Sequence, residues 1–452
     1  MRSAFLLAAV FVLAGWVPRA QAQTALHTLI SPDVQPYGRF GESIAPAGDV
    51  DGDGVPDIVV GAPSEGDDRP GQAHVFSGAS GSALVSLASD NPQKRGNFGI
   101  GVAGSSNGSQ GVRVIVTAPR ESAGRSAPRG GNLYLYKGTS SDVEDDTDSP
   151  NESPNGRFGF SIASAPDVDG DGISDVVVGA PSEVISKEPA TTGRVYVLSG
   201  EDGDDVVELE SQQEGVRLFG FSVDGMPDLN GDGTPDIVVG AVGTSASSQP
   251  RYAGAVYVYS GEDERFLLSM SSPNGVADGR FGSAVAHVGD INGDDIPDVV
   301  VGAPGERTDV GNEVGRAYVF SGANGSLLHT LTSPSPQSSG RFGESVAGEI
   351  DINGDGMPDV LVGAPSEASS AGRVHAFNGA DGSLLATLQS PRDATNGGFG
   401  TSLSTIGDLD GDGSRDVLVG ATGESAPDGT ERSGAAYVFS GAPLVTGAVA
   451  GE

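Results

Sequence analysis

No cysteine occurs in the 452 residues, so disulfide bonds and thiolate metal sites are excluded, and stability must come from packing and bound ions. Tryptophan appears once, at Trp16, and histidine five times, at His27, His74, His287, His329 and His375. The histidines fall at scattered positions without metal-ligand spacing, which argues against an imidazole metal centre. Lysine is confined to Lys94, Lys137 and Lys187, against 22 arginines and 61 acidic residues. With a formal net charge of −36, the surface is a poor partner for nucleic acid or anionic membranes. An acidic, lysine-poor surface fits a salty habitat. No amphipathic helical stretch stands out, and no apolar run reaches the ~20 residues that a bilayer span requires.

Glycine, by contrast, is abundant at 71 residues, which points to many tight turns. The turns with the most chemistry are six copies of one acidic loop, DVDGDGVPD from Asp49, DVDGDGISD from Asp167, DLNGDGTPD from Asp228, DINGDDIPD from Asp290, DINGDGMPD from Asp351 and DLDGDGSRD from Asp408. Oxygen-bearing side chains recur at positions 1, 3, 5 and 9. These are Asp49, Asp51, Asp53 and Asp57 in the first copy, and Asp167, Asp169, Asp171 and Asp175 in the second. The third has Asp228, Asn230, Asp232 and Asp236, and the fourth Asp290, Asn292, Asp294 and Asp298. The last two have Asp351, Asn353, Asp355 and Asp359, then Asp408, Asp410, Asp412 and Asp416. Glycine fills position 4 and, except at Asp295, position 6.

Calcium takes six to eight oxygens at roughly 2.3 to 2.6 Å, and glycines let alternate residues of a tight turn aim carboxylates inward. The position 7 carbonyls of Val55, Ile173, Thr234, Ile296, Met357 and Ser414 would add a fifth protein ligand. Six structural calcium sites are the expectation, and they would bring the charge of the exported chain to about −26. A single copy could equally be an Asx-turn bonding its own backbone, but unscreened carboxylates in six registered copies would repel one another. An EF-hand closes with Glu at position 12 and runs into a helix. Position 12 here is Val60, Val178, Val239, Val301, Val362 and Val419, inside β-branched runs that read as buried strands.

Residues 1–22 read as a secretory signal, with Arg2, an apolar stretch of fourteen from Ala4 to Val17, and Ala20-Gln21-Ala22 as a small-x-small cleavage site after Ala22. Its removal moves the formal charge to −38. Residues 23–442 are then one domain, with a tail at 443–452, and the location is extracellular or at the cell surface.

A Phe-Gly pair recurs at Phe40, Phe98, Phe158, Phe219, Phe281, Phe342 and Phe399, so the chain is seven copies of a unit of about sixty residues. The common order is a small-residue strand, the acidic loop nine residues past Phe in all but the second copy, a Val/Ile strand that mostly ends in Gly-Ala, a variable loop, an alternating strand and a fourth strand. Four short antiparallel strands are one propeller blade. The segment before Phe40, ALHTLISP, matches the fourth strand before Phe342, while the seventh repeat lacks a clear fourth strand. The expected fold is therefore an all-β, seven-bladed propeller in which residues 25–31 complete the last blade and remove two sheet edges.

The Phe-Gly openings, the D-x-D/N-x-D-G-x-x-D loops and Gly-Ala-Pro at 61–63, 179–181, 302–304 and 363–365 resemble FG-GAP repeats, as in the propeller head of integrin α chains. The resemblance implies calcium in the loops and adhesion or binding rather than catalysis. Integrin α chains carry calcium in fewer blades and have stalk domains, a membrane span and a β-chain partner, so a heterodimeric receptor is not implied.

The second repeat has NGSQGVRVIVTAP from Asn107 in place of the acidic loop, so no metal is expected there. Its fourth segment, SDVEDDTDSP from Ser141, is poor in β formers and marks the loosest blade. The variable loops from Ser64, Arg120, Ser182, Val242 and Gly305 read as irregular and lie opposite the acidic loops, where a protein or glycan ligand is expected. Arg120, Arg125 and Arg129 are the basic spot on that face. Gly104 to Gly108 matches G-x-S-x-G but lies in the degenerate loop without the strand-to-helix turn of a nucleophile elbow. No catalytic residues are expected. A polysaccharide-acting enzyme and a structural envelope component are the alternative readings.

Overall fold

A computed structural model of the chain describes residues 24–107, 111–122, 128–187, 190–213, 215–244, 250–392 and 394–441. Seven four-stranded antiparallel sheets are arranged as the blades of a propeller. In blade 1 the strands are Ile44–Gly48, Asp57–Ala62, Gln72–Phe76 and Ala83–Leu87, paired in chain order. The second strand of this blade, DIVVGA, is buried along its whole length, as its Val/Ile content requires. In blade 7 the strand His27–Leu29 pairs with Ala435–Phe439, with Thr28 opposite Tyr437. The amino-terminal strand thus completes the last blade.

The phenylalanine and glycines of each repeat make the blade-to-blade joint. Phe40, Phe98, Phe158, Phe219, Phe281, Phe342 and Phe399 are fully buried. Phe40 forms a backbone bridge to Gly434 of blade 7, and its ring packs on His74 and Phe76 of blade 1. The glycine after Phe meets the glycine of Gly-Ala-Pro in the preceding blade. A Cβ on Gly61 would fall 1.9 Å from the carbonyl oxygen of Gly99, and one on Gly420 would fall 2.1 Å from that of Gly41. Ser43 donates to the same Gly99 carbonyl at 3.0 Å, and Ser402 to that of Gly41 at 2.9 Å. The close approach explains why the repeat needs both glycines.

Three local expectations are corrected, and a fourth segment forms the strand expected of it against its propensity. The segment from Ser182 is not irregular: Val176–Lys187 and Ala190–Leu198 form one long hairpin. In blade 4 the strands run Val216–Met226 and Asp236–Thr244, so Val242 lies in a strand. Gly104 to Asn107 lie on the strand Gly101–Asn107, which pairs Asn107 with Gly111, and not in a loop. The acidic segment Val143–Asp148 does form the fourth strand of blade 2. Backbone pairing to Asn132–Lys137 and the Glu144 contacts with Arg113 and Lys137 offset its poor propensity. A four-residue helical turn at Glu367–Ser370 is the one helical element among the described residues.

Candidate functional site: the acidic loops and the opposite face

Each acidic loop joins the first and second strands of a blade. Position 1 organises the turn by accepting backbone N–H groups of positions 4 and 6. Asp49 takes Gly52 at 2.7 Å and Gly54 at 2.9 Å, and Asp408 takes Gly411 at 2.7 Å and Gly413 at 2.8 Å. Asp167, Asp228, Asp290 and Asp351 repeat the pattern. Gly52 and Gly54 sit at φ +82° and +90°, and a Cβ on either would meet nothing within 4 Å, so conformation and not space demands glycine here. Asp295 adopts φ 65° at the equivalent place.

Position 5 accepts the N–H of position 7. Val55 donates to Asp53, Ile173 to Asp171, Thr234 to Asp232, Ile296 to Asp294, Met357 to Asp355 and Ser414 to Asp412. Position 3 splits the loops into two groups. Ligand oxygens of Asp49, Asp51 and Asp53 lie within 4.8 Å of one another, as do those of Asp167, Asp169 and Asp175, and of Asp408, Asp410 and Asp416. The other three loops carry asparagine there. Asn230 and Asn292 donate to Asp236 and Asp298, and Asn353 donates to Asp355.

Position 9 has a role that sequence reasoning did not assign. Asp57, Asp175, Asp236, Asp298, Asp359 and Asp416 are buried. Asp57 accepts the N–H of Val50 at 2.7 Å and, on its other oxygen, that of Gly78 at 3.0 Å. Gly78 belongs to the turn between strands three and four, so this carboxylate ties two turns of one face together. Gly200, Gly322, Gly379 and Gly441 make the same bond to Asp175, Asp298, Asp359 and Asp416. Burial pushes Asp175, Asp236, Asp298, Asp359 and Asp416 up to about 6, against the pull of these N–H groups. Convergent carboxylates on a glycine-shaped turn are a donor set suited to a hard cation such as calcium.

A second recurring feature went unread in the sequence. Glu65, Glu121, Glu183, Glu306, Glu367 and Glu424, two residues after the Gly-Ala-Pro position, are fully buried. Each meets the same position of the third strand: His74 at 2.9 Å, Tyr134 at 2.5 Å, Tyr196 at 2.7 Å, Tyr318 at 2.7 Å, His375 at 3.1 Å, and Tyr437. A serine from the preceding blade completes the group in four of them, Ser89, Ser149, Ser272 and Ser390. The glycine two before Phe makes room: a Cβ on Gly38 would lie 2.8 Å from Cγ of Glu65. The signal was present as a glutamate and an aromatic or histidine at fixed repeat positions.

The histidines are structural. His27 and His329 donate to backbone carbonyls of the next blade. His287 lines the central channel between Asp224 at 2.8 Å and Glu349 at 3.0 Å, and Arg415 reaches Glu349 at 3.2 Å. Burial opposes the charge of His287, but the two carboxylates outweigh it and push the group up to about 10. On the variable-loop face, Arg120 is held below its usual range by burial and by Arg157, Arg129, Arg39 and Arg95. Arg125 lies outside the described residues. No helix among the described residues is long and apolar enough to cross a membrane.

Comparison with known proteins agrees with this geometry. The FG-GAP repeat matches residues 40–76, 158–198, 219–259, 281–320, 342–377 and 399–439, together just over half of the chain. The second repeat, which lacks the acidic loop, is not among them. The chain is 29% identical over 260 residues to integrin alpha-4 of Xenopus laevis, covering 55% of this chain and 24% of that protein. It is 34% identical over 191 residues to integrin alpha-2 of Mus musculus, covering 40% and 16%, and 34% identical over 236 residues to integrin alpha-6 of Gallus gallus, covering 48% and 20%. The matches thus span no more than about a quarter of these relatives' own lengths.

Proposed function

The chain belongs to the FG-GAP repeat family, and from that premise we propose that it is an exported, calcium-binding propeller that serves as an extracellular binding or adhesion module. The observation that carries this reading is the separation of its two faces. One face gathers six acidic turns, tied by position 9 to their neighbours. The other carries loops that differ from blade to blade in length and charge. Residues at positions 1, 3, 5 and 9, with the position 7 carbonyl, hold the ions. Bound calcium supplies charge neutralisation and cross-linking of the turn. The protein's own groups supply most of its coordination, so the role is structural.

Ligand recognition belongs to the variable face, and its partner is an extracellular protein or glycan. Export through residues 1–22 agrees with calcium sites of modest affinity, about 10⁻⁴ to 10⁻³ M, as in extracellular modules. The test is a glycan and protein array probed with the purified chain, with and without calcium, beside a thermal melt in chelator. Calcium-dependent capture and a lower melting temperature in chelator are expected. Release of product from a glycan would instead make the chain an enzyme, and an unchanged melt would remove structural calcium.

A further inference from the structure

Blade 4 departs from the repeat at four positions that work together elsewhere. Where the other six blades carry a glycine facing a buried glutamate, it has Arg217 and Thr244. Where most carry arginine and proline, it has Leu218 and Val242. The two strands then pair directly, Arg217 opposite Gly243 and Val216 opposite Thr244. Beside them a cleft of about 470 Å³ opens on the variable-loop face, with Leu218 and Val242 in its lining, within the size of a small-ligand site. Concerted departures from a repeat's own rules are where function is expected to intrude.

The floor of the cleft is Leu218, Phe221 and Val242, and Tyr252 forms a wall. Its rim is charged, with Asp278, Arg280, Arg341 and Glu344. Arg341 is paired with Glu344 at 2.7 Å. The Arg280 guanidinium makes no ion pair or side-chain hydrogen bond among the described residues, although this chain has more than twice as many acidic as basic residues.

We propose that this cleft binds a uronic acid residue of an acidic polysaccharide, its pyranose ring against Phe221 and Tyr252 and its carboxylate on Arg280. The proposal rests on reading the chain as a binding module and names the ligand class. A pyranose presents an apolar C–H face that suits aromatic rings. Its hydroxyls both donate and accept, and so can use the Asp278 carboxylate as well as the guanidinium of Arg341. The planar fork of Arg280 matches a carboxylate in two hydrogen bonds. An apolar peptide side chain would meet the floor and leave that charged rim without partners.

The test is isothermal titration of the whole calcium-loaded chain with a glucuronate-terminated oligosaccharide and its glucose-terminated counterpart. The acidic sugar is expected to bind more tightly. Arg280→Ala should weaken it about ten- to a hundred-fold, the loss of a charge-assisted bond, and abolish the preference. Tyr252→Ala should weaken both sugars, and Arg157→Ala, the same repeat position in blade 3, should change neither. Equal binding of the two sugars, equal effects of Arg157→Ala and Arg280→Ala, or binding of an acidic peptide in place of the sugar would overturn the proposal. Capture of some other ligand, indifferent to Arg280, would overturn the cleft and leave the binding module standing.

Discussion

The Nε2 of His27 lies 2.8 Å from the carbonyl oxygen of Gly78, the same contact that His329 makes with Gly379 at 2.7 Å. His329 is in the fourth strand of blade 5 and Gly379 in blade 6, so His27 stands as the fourth strand of blade 7 toward blade 1. Leu29 and Leu331, 1% and 2% exposed, are the matching core residues. In a closed ring, Leu29→Ala and Leu331→Ala should each cost about 2–5 kcal/mol, measured by urea unfolding. A neutral Leu29→Ala would mean that the ring is not sealed by this strand.

The glycines separate two kinds of requirement. Gly420→Ala would push a methyl to 2.1 Å from the Gly41 carbonyl, so neighbouring blades must move apart and the loss should reach several kcal/mol, about that of a core disruption. Gly52→Ala meets no neighbour and should cost only about 1 kcal/mol for its positive φ. Thermal melts of both variants in calcium will rank them. Equal losses would remove steric contact as the reason for the Phe-Gly and Gly-Ala-Pro glycines.

Strand order, blade number and ring closure were legible because they rest on alternation, on β-branched runs and on complementary chain ends. The acidic loops were legible because their spacing is local. What escaped lies across the sequence. Glu121 reads as a solvated loop residue until Tyr134, thirteen residues away, and Ser89, thirty-two away, are brought to it. Asp57 looks like one more ligand until folding puts Gly78 behind it. The hairpin from Val176 escaped because Ser186 and Lys187 have weak strand propensity and are held by pairing with Thr191 and Ala190.

The buried glutamates predict a pH dependence. Burial pushes Glu121 from 4.5 up to about 7, although Tyr134, Ser89 and backbone N–H groups pull the other way. Because the folded value exceeds the unfolded one, its contribution is full below about 4.5 and is lost as pH rises through about 7. Glu121→Gln cannot ionise and should lose that slope, changing the difference from wild type by up to about 3 kcal/mol between those limits. Urea titrations at fixed calcium measure it, and parallel curves would mean that Glu121 does not titrate in this window.

Calcium should bind in two groups. The loops beginning at Asp49, Asp167 and Asp408 present four carboxylates at positions 1, 3, 5 and 9, whereas those at Asp228, Asp290 and Asp351 present three and an asparagine amide. Affinity follows ligand charge, so the first group should fill first in a calorimetric titration. Asp169→Asn should move one ion from the tight to the weak group, a loss of about tenfold. A titration with six equivalent sites would contradict the distinction.

Positions 5 and 9 should respond differently to chelation. Asp412 is exposed and accepts Ser414 N–H at 2.8 Å and the Ser440 hydroxyl at 2.9 Å, bonds that water can replace. Asp412→Ala should therefore lower the melting temperature in calcium and leave it almost unchanged in chelator. Asp416 is buried and holds the N–H groups of Leu409 at 2.8 Å and Gly441 at 3.1 Å. Removing its carboxylate strands buried donors, at about 1–3 kcal/mol each, whether or not an ion is bound. Asp416→Ala should thus destabilise in both buffers, and by more when calcium is present. If it cost nothing in chelator, the tie between the two turns would contribute no stability, and the buried aspartate would be a cation ligand alone.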